Sequence, residues 1–271
     1  MTGAGPPSRV VESADGTPIA VYASGAGPPV VLVHGASADH TTFRVVGPLL
    51  EGRFTIHAID RRGRGASGDR EPYDVEREFE DVAAVAAAVA RVAGRPVAVI
   101  GHSYGGRCAL GAALRTTAID RVVCYEGAPT PADATYRPVG VESRLQAHLA
   151  AGDPGAVLET FLTEVVGMSA AELERYRADP VWPARVAAAP TILRELEAES
   201  APAASLAALG EVRQPVLQVL GGDSLPAFAA ATHALSDRLR VGSVVVIDGA
   251  RHAAHHTHPT EFVAAVEAFL A

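Results

Sequence analysis

Lysine is missing: every one of the 23 basic residues is an arginine. With alanine so abundant, this reads as the coding bias of a GC-rich genome rather than as a functional device. The arginines form no basic cluster and the formal net charge is −8, which argues against nucleic acid or an anionic membrane as partner. No apolar run approaches the ~20 residues that a membrane-spanning helix needs. The segment Met1 to Pro7 is small and Pro/Gly-rich with no apolar core, so no secretory leader is expected there. Cysteine is scarce, with Cys108 and Cys124 falling inside a predicted helix and a predicted strand. Neither has metal-ligand spacing. Buried free thiols in a reducing cytoplasm are therefore expected, with no metal and no cofactor.

What remains is ordinary globular material: 48% apolar and 20% charged over 271 residues, enough for one large domain or a domain carrying an insertion. Arg9 to Glu12 and Pro18 to Tyr22, joined through Asp15-Gly16, read as an antiparallel hairpin. Val30-Val31-Leu32-Val33 is a continuous apolar run, the pattern of a strand buried on both faces. Phe54 to Ile59, Val97 to Ile100, Arg121 to Tyr125, Val216 to Leu220 and Ser243 to Ile247 repeat it. Helical stretches fall between them, near Thr41 to Leu50, Val75 to Val92, Tyr104 to Leu114, Ala227 to Leu235 and Pro259 to Leu270. Such alternation predicts a mostly parallel sheet covered by helices, with ligands at the carboxyl ends of its strands.

From about Pro129 to Leu209 the alternation stops. Only helix-like pieces appear: Glu142 to Ala151, Pro154 to Val166, Ala170 to Arg177 and Trp182 to Leu196. The expected organisation is a core over residues 1–128, an all-helical lid over 129–209, and the rest of the core over 210–271. Phe161, Met168, Tyr176 and Trp182 in this insertion read as packing or as pocket lining.

At the end of one buried run stands Gly101-His102-Ser103-Tyr104-Gly105-Gly106. A serine held at a sharp strand-to-helix corner sits in strained backbone, so glycines are needed two residues to either side. The bend pushes its hydroxyl out of the sheet edge, and the helix start behind it favours developing negative charge. His34-Gly35, Asp60-Arg61-Arg62-Gly63-Arg64-Gly65-x-Ser67 and a late histidine complete a set that resembles the α/β-hydrolase fold family. The likeness is greatest to its esterase, C–C hydrolase and cofactor-free haloperoxidase branch.

The resemblance implies an eight-stranded sheet and a nucleophile–acid–histidine triad. Ser103 is then the nucleophile, and His252 is the base, following the turn Asp248-Gly249-Ala250 and preceding Pro259 and the last helix. The backbone N–H groups of Ala36 and Tyr104 make the oxyanion hole. For the acid, most relatives have an aspartate in Gly-x-x-Asp after the seventh strand. Here Leu220-Gly221-Gly222-Asp223-Ser224 puts Ser224 in that slot and Asp223 one residue early. Glu126, directly after the sixth strand, is where some branches keep the acid. Glu126 is favoured, with Asp223 then capping the following helix; Asp223 is the alternative acid. The Arg61, Arg62 and Arg64 group reads as a structural loop with solvated charges. His255, His256 and His258 read as a polar helix start, His34 as a loop-shaping hydrogen-bonder, and His102 as turned away from the serine.

A serine nucleophile favours attack at a carbonyl. The leading expectation is a hydrolase for a small-molecule ester, thioester or lactone. The alternatives are a C–C bond hydrolase or cyclase-like enzyme using the same pocket, and a non-catalytic ligand-binding protein on the same fold. Substrate identity and oligomeric state leave no signature in the sequence.

Overall fold

The continuous apolar runs become the middle strands of one eight-stranded sheet in the computed structural model, which describes residues 5–131, 134 and 137–271. Residues 1–4 of the segment read for a leader lie outside the described residues. The strands are β1 (Arg9–Glu12), β2 (Pro18–Gly25), β3 (Pro29–Val33), β4 (Thr55–Ile59), β5 (Val97–His102), β6 (Ile119–Tyr125), β7 (Val216–Gly221) and β8 (Gly242–Ile247). They lie in the order β1-β2-β4-β3-β5-β6-β7-β8. The pairs β1–β2 and β2–β4 are antiparallel and all others parallel. β3, β5 and β7 are buried along almost their whole length, as strands covered on both faces must be. β8 differs from expectation. It is the sheet edge, and Val246 is 49% exposed. An apolar run looks alike at the edge and in the middle of a sheet.

The core helices are α1 (Gly47–Leu50), α2 (Val75–Ala93), α3 (Tyr104–Ala113), α10 (Pro226–Ser236), α11 (Ala254–Thr257) and α12 (Pro259–Leu270). α2 shows why such segments form. Asp74 caps its start by accepting from Glu76 N, and Gly94 ends it in the left-handed region at φ 68°. Val75, Phe79, Val82, Ala86 and Val89 make its buried stripe, each larger side chain contributing about 1.5–3 kcal/mol. The stretch expected as one helix over Thr41 to Leu50 is a 3-10 turn, His40–Phe43, followed by the single turn of α1 at Gly47-Pro48.

Between β6 and β7 lie α4 (Val141–Ala150), α5 (Pro154–Thr160), α6 (Ala170–Arg177), α7 (Trp182–Ala188), α8 (Ile192–Ala198) and α9 (Leu206–Leu209), with a π-helical turn over Phe161–Val165. Pro190 divides what the apolar spacing suggested was a continuous helix from Trp182 to Leu196. These helices share a small core of their own built on Leu145, Leu158, Phe161, Leu162, Ile192 and Leu196. They meet the sheet domain partly through charge: Arg185 on α7 lies 2.8 Å from Asp39, Arg194 on α8 lies 2.8 Å from Asp69, and Arg44 pairs with Asp179.

The arginine loop corrects the expectation of solvated charges. Arg61, Arg62 and Arg64 are 1%, 0% and 3% exposed. Arg61 bonds both carboxylate oxygens of Glu78 on α2, at 2.6 and 3.0 Å, and Glu195 on α8. Arg62 makes two 2.7 Å bonds to Asp81 on α2, and Arg64 also reaches Glu195. Burial alone would raise the Glu78 carboxyl, but the charges of Arg61 and Arg64 hold it at about 2. Guanidinium groups tolerate burial when paired, and the pairing acids lie far off in the sequence.

Candidate functional site

Ser103 leaves β5 at the carboxyl edge of the sheet, with φ 54° and ψ −126°, and α3 begins at the next residue. No room exists there for larger neighbours. A Cβ on Gly105 would stand 2.3 Å from the Val33 carbonyl oxygen, and one on Gly101 2.2 Å from that of Gly105. The exit of β6 presses on the same bend: Ser103 N–H donates to Tyr125 O at 2.7 Å, and a Cβ on Gly127 would meet Ser103 O at 2.4 Å. Close approach of three backbone segments is what the glycines permit.

Glu126 sits between these contacts with φ 45°, uncommon for a residue with a side chain. Its side chain is fully occupied. Oε2 accepts from His252 Nδ1 at 2.5 Å, and Oε1 accepts from Gly221 N–H at 2.7 Å and from the Ser224 hydroxyl at 2.6 Å. The carboxylate therefore fixes the ring proton of His252 on Nδ1 and leaves Nε2 a lone pair. Asp223 is exposed and does not cap α10, whose start at Leu225 has no side-chain cap. Its backbone N–H instead bonds Ala250 O, which turns the residue along the loop surface.

Three supporting side chains were given no role from the sequence. Ser224 fills the slot where an aspartate was expected, and its hydroxyl bonds the carboxylate that arrives from β6 instead. Phe228 on α10 stacks on the His252 ring, with centroids 4.5 Å apart and planes 18° from parallel. Tyr125 holds the His252 loop at both ends. Its hydroxyl donates to Arg251 O and accepts from Ala254 N–H at 2.7 Å. Ser224 alone had a legible signal, the odd residue in Gly-Gly-Asp-Ser.

Three further histidines are held within the structure around the site. His102 turns away from Ser103 and donates through Nε2 to His252 O at 2.7 Å. His34 donates through Nδ1 to Gly35 O and accepts from Arg61 N–H at Nε2, and burial pushes its pKa down to about 3. His255 departs from the expected polar helix start: it is 1% exposed, and neither ring nitrogen is hydrogen-bonded. The buried Tyr104 ring lies under Arg61, and its hydroxyl is 3.0 Å from that of Tyr73.

Ser103 and His252 both line two adjoining cavities. One is narrow, about 40 Å³, and includes Ala36, Tyr104, Ala128, Val165 and Leu196. The other is wide, about 530 Å³, and runs between Leu162, Met168 and Tyr176 of the helical segment and Leu225 and Phe228 of the core. Phe161 and Val166 line both. Phe161, Met168 and Tyr176 thus combine packing with pocket lining, whereas Trp182 only packs. Among the described residues no cluster of three or more His, Cys, Asp or Glu suits a metal ion.

Comparison with known proteins agrees with this fold. Residues 30–266 match the model of the Alpha/beta hydrolase family. Over 129 residues the chain is 38% identical to the protein named Probable oxidoreductase EphD of Mycobacterium tuberculosis, covering 46% of this chain and 22% of that one. The chain thus spans about a fifth of the length of that relative. It is 28% identical over 262 residues to 2-(acetamidomethylene)succinate hydrolase of Mesorhizobium japonicum, covering 92% and 90% of the two chains. Among solved structures, an alpha/beta hydrolase from Sphaerobacter thermophilus superposes with a TM-score of 0.78 at 33% identity, over 94% of this chain and 100% of that one.

Proposed function

The chain belongs to the alpha/beta hydrolase family, and from that premise we propose that it is a hydrolase that cleaves a small-molecule carboxylic ester, thioester or lactone through an acyl-enzyme on Ser103. The observation that carries this reading is the pairing of a serine at a strained strand-to-helix bend with a histidine on the same cavity wall, its Nδ1 bound to Glu126.

In this reading His252 Nε2 takes the Ser103 proton as Oγ bonds to the substrate carbonyl carbon. The electron pair moves to the carbonyl oxygen, which the Ala36 and Tyr104 N–H groups stabilise. Tyr104 is the first residue of α3, and the first N–H groups of a helix have no partner within it. Collapse of the intermediate breaks the bond to the leaving oxygen or sulfur, which receives the proton from His252. Water then repeats the sequence and releases the acid and Ser103. Glu126 orients His252 and stabilises its cationic form throughout. The helices between β6 and β7 act as a lid, supported by Phe161, Val165 and Val166 on the walls around Ser103.

A reducing cytoplasm suits the two free thiols. Both are buried, and among the described residues no helix is long and apolar enough to cross a membrane. The test is labelling by a fluorophosphonate probe. Wild type should be labelled and Ser103→Ala should not; a folded wild type that stays unlabelled overturns the reading.

A further inference from the structure

The two cavities beside Ser103 differ in size, and both carry charged side chains, with Arg107, Glu126, Glu195 and Glu199 lining the narrow one. The narrow one has room for two or three atoms: one buried water needs ~10–15 Å³, against about 40 Å³ here. The wide one, about 530 Å³, falls within the range of small-molecule sites. Its apolar lining includes Phe161, Leu162, Val166, Leu225 and Phe228. Its other lining carries charge.

Three arginines, Arg44, Arg175 and Arg251, face two acids, Glu172 and Asp179, around this cavity. Arg44 is paired with Asp179, and Arg251 Nη1 donates to Glu172 Oε2 at 3.2 Å. Glu172 is held below the usual carboxylate range by the Ser169 hydroxyl and N–H and then by Arg251 and Arg175, so it stays ionised and fully engaged. Arg175 is exposed and makes neither a hydrogen bond nor an ion pair among the described residues. One positive charge is left over in a chain whose net charge is −8. His256 adds a ring to the same lining, and burial, with Arg44 and Arg185 nearby, pushes its pKa down to about 4, so near neutral pH it offers hydrogen bonds without charge.

We propose that the wide cavity selects a substrate with an apolar arm ending in a carboxylate, which Arg175 receives, while the short remainder of the ester occupies the narrow cavity. This rests on the hydrolytic reading above and narrows it to esters with one small and one long, acidic side. The neighbouring pairs hold Arg44 and Arg251 in place, so Arg175 is the guanidinium available to a ligand. The ends of the chemistry are separable because the charge lies on α6, away from Ser103, His252 and Glu126.

The test compares matched esters in both orientations: monomethyl suberate against methyl octanoate, and 6-acetoxyhexanoate against hexyl acetate. In at least one pair the acidic member should have a kcat/KM about fivefold higher, the size of one partly exposed ion pair, and the advantage should shrink as salt rises. Arg175→Glu should invert that ratio, whereas Arg213→Glu, an equal charge change at an exposed site before β7, should keep it. A ratio at or below one in both pairs, or one that responds equally to both variants, overturns the proposal. Calorimetry on Ser103→Ala supplies a readout independent of turnover, with monomethyl suberate expected to bind more tightly than methyl octanoate. Monomethyl suberate binding without hydrolysis of any ester would sink the hydrolytic reading and keep the anion subsite. Turnover without either preference would do the reverse.

Discussion

Replacing Glu126 by glutamine tests the site at its most constrained atom pair. The carboxylate accepts three hydrogen bonds, from His252 Nδ1 at 2.5 Å, Gly221 N–H at 2.7 Å and Ser224 Oγ at 2.6 Å. Glutamine has one acceptor oxygen and one NH₂ donor. If the amide oxygen stays with Gly221 and Ser224, its NH₂ faces His252 Nδ1, and the ring accepts only by moving its proton to Nε2. In the proposed mechanism that nitrogen receives the serine proton. If the amide turns the other way, its NH₂ opposes the Gly221 N–H in a site only 4% exposed, at a cost of about 1–3 kcal/mol. The first arrangement wins, and the wrong tautomer is populated. Acid-to-amide replacement in a serine–histidine triad costs about 10⁴ in kcat, so Glu126→Gln should lose at least about 10²-fold. Asp223→Asn, on the exposed loop, should lose only a small factor. The assay is steady-state hydrolysis of p-nitrophenyl acetate at fixed neutral pH, with circular dichroism to verify folding. An equal or larger loss in Asp223→Asn would refute the assignment. Ser224→Ala, which removes one of the three bonds, should fall between the two, within about tenfold.

Other outcomes follow from packing and charge. Gly105→Ala places a methyl 2.3 and 2.4 Å from the carbonyl oxygens of Val33 and His34, so α3 must move off β3. The expected cost is about 1–3 kcal/mol or more in urea unfolding, and an unchanged midpoint would contradict the packing. Glu78 has a pKa of about 2 when folded against an ordinary 4.5, so its contribution is fully present above 4.5 and is lost as pH falls toward 2. That amounts to about 3 kcal/mol; Glu78→Gln should flatten this acid limb of stability, and equal slopes in variant and wild type would show the pairing to be inert. Burial pushes the Cys124 thiol up to about 12 and leaves Cys108 raised as well. Both should resist a thiol-specific aromatic disulfide until the chain unfolds, and prompt reaction of the native protein would contradict the burial.

Legibility in the sequence followed the range of the interactions involved. The bend at Ser103, the alternation of strands and helices, and the bounds of α6 and α12 are local matters of glycine placement and apolar period, and they read directly. The fate of Arg61, Arg62 and Arg64 is not local. Their partners Glu78, Asp81 and Glu195 enter from α2 and α8, and a run of arginines on its own resembles a solvated loop. The same holds at the edge of the sheet, where Val244 and Val246 look like buried residues until the strand order is known. Glu126 and Asp223 could be weighed against each other from sequence because each follows a strand. The three-way hydrogen bonding at Glu126 depends on the distance between β6 and β7, which no spacing along the chain encodes.

The carboxylate bound to His252 is rooted at the end of β6, and this frees the turn after β7. Apart from Ser224, that turn holds no group on which the histidine depends, yet Leu225 and Phe228 directly beyond it shape the wide cavity. Leu225 can change size with the hydrogen bonds of the imidazole left untouched, whereas Phe228 also stacks on the ring. New substrate shapes are therefore most readily engineered at Leu225, where a smaller side chain opens the chamber from the core side.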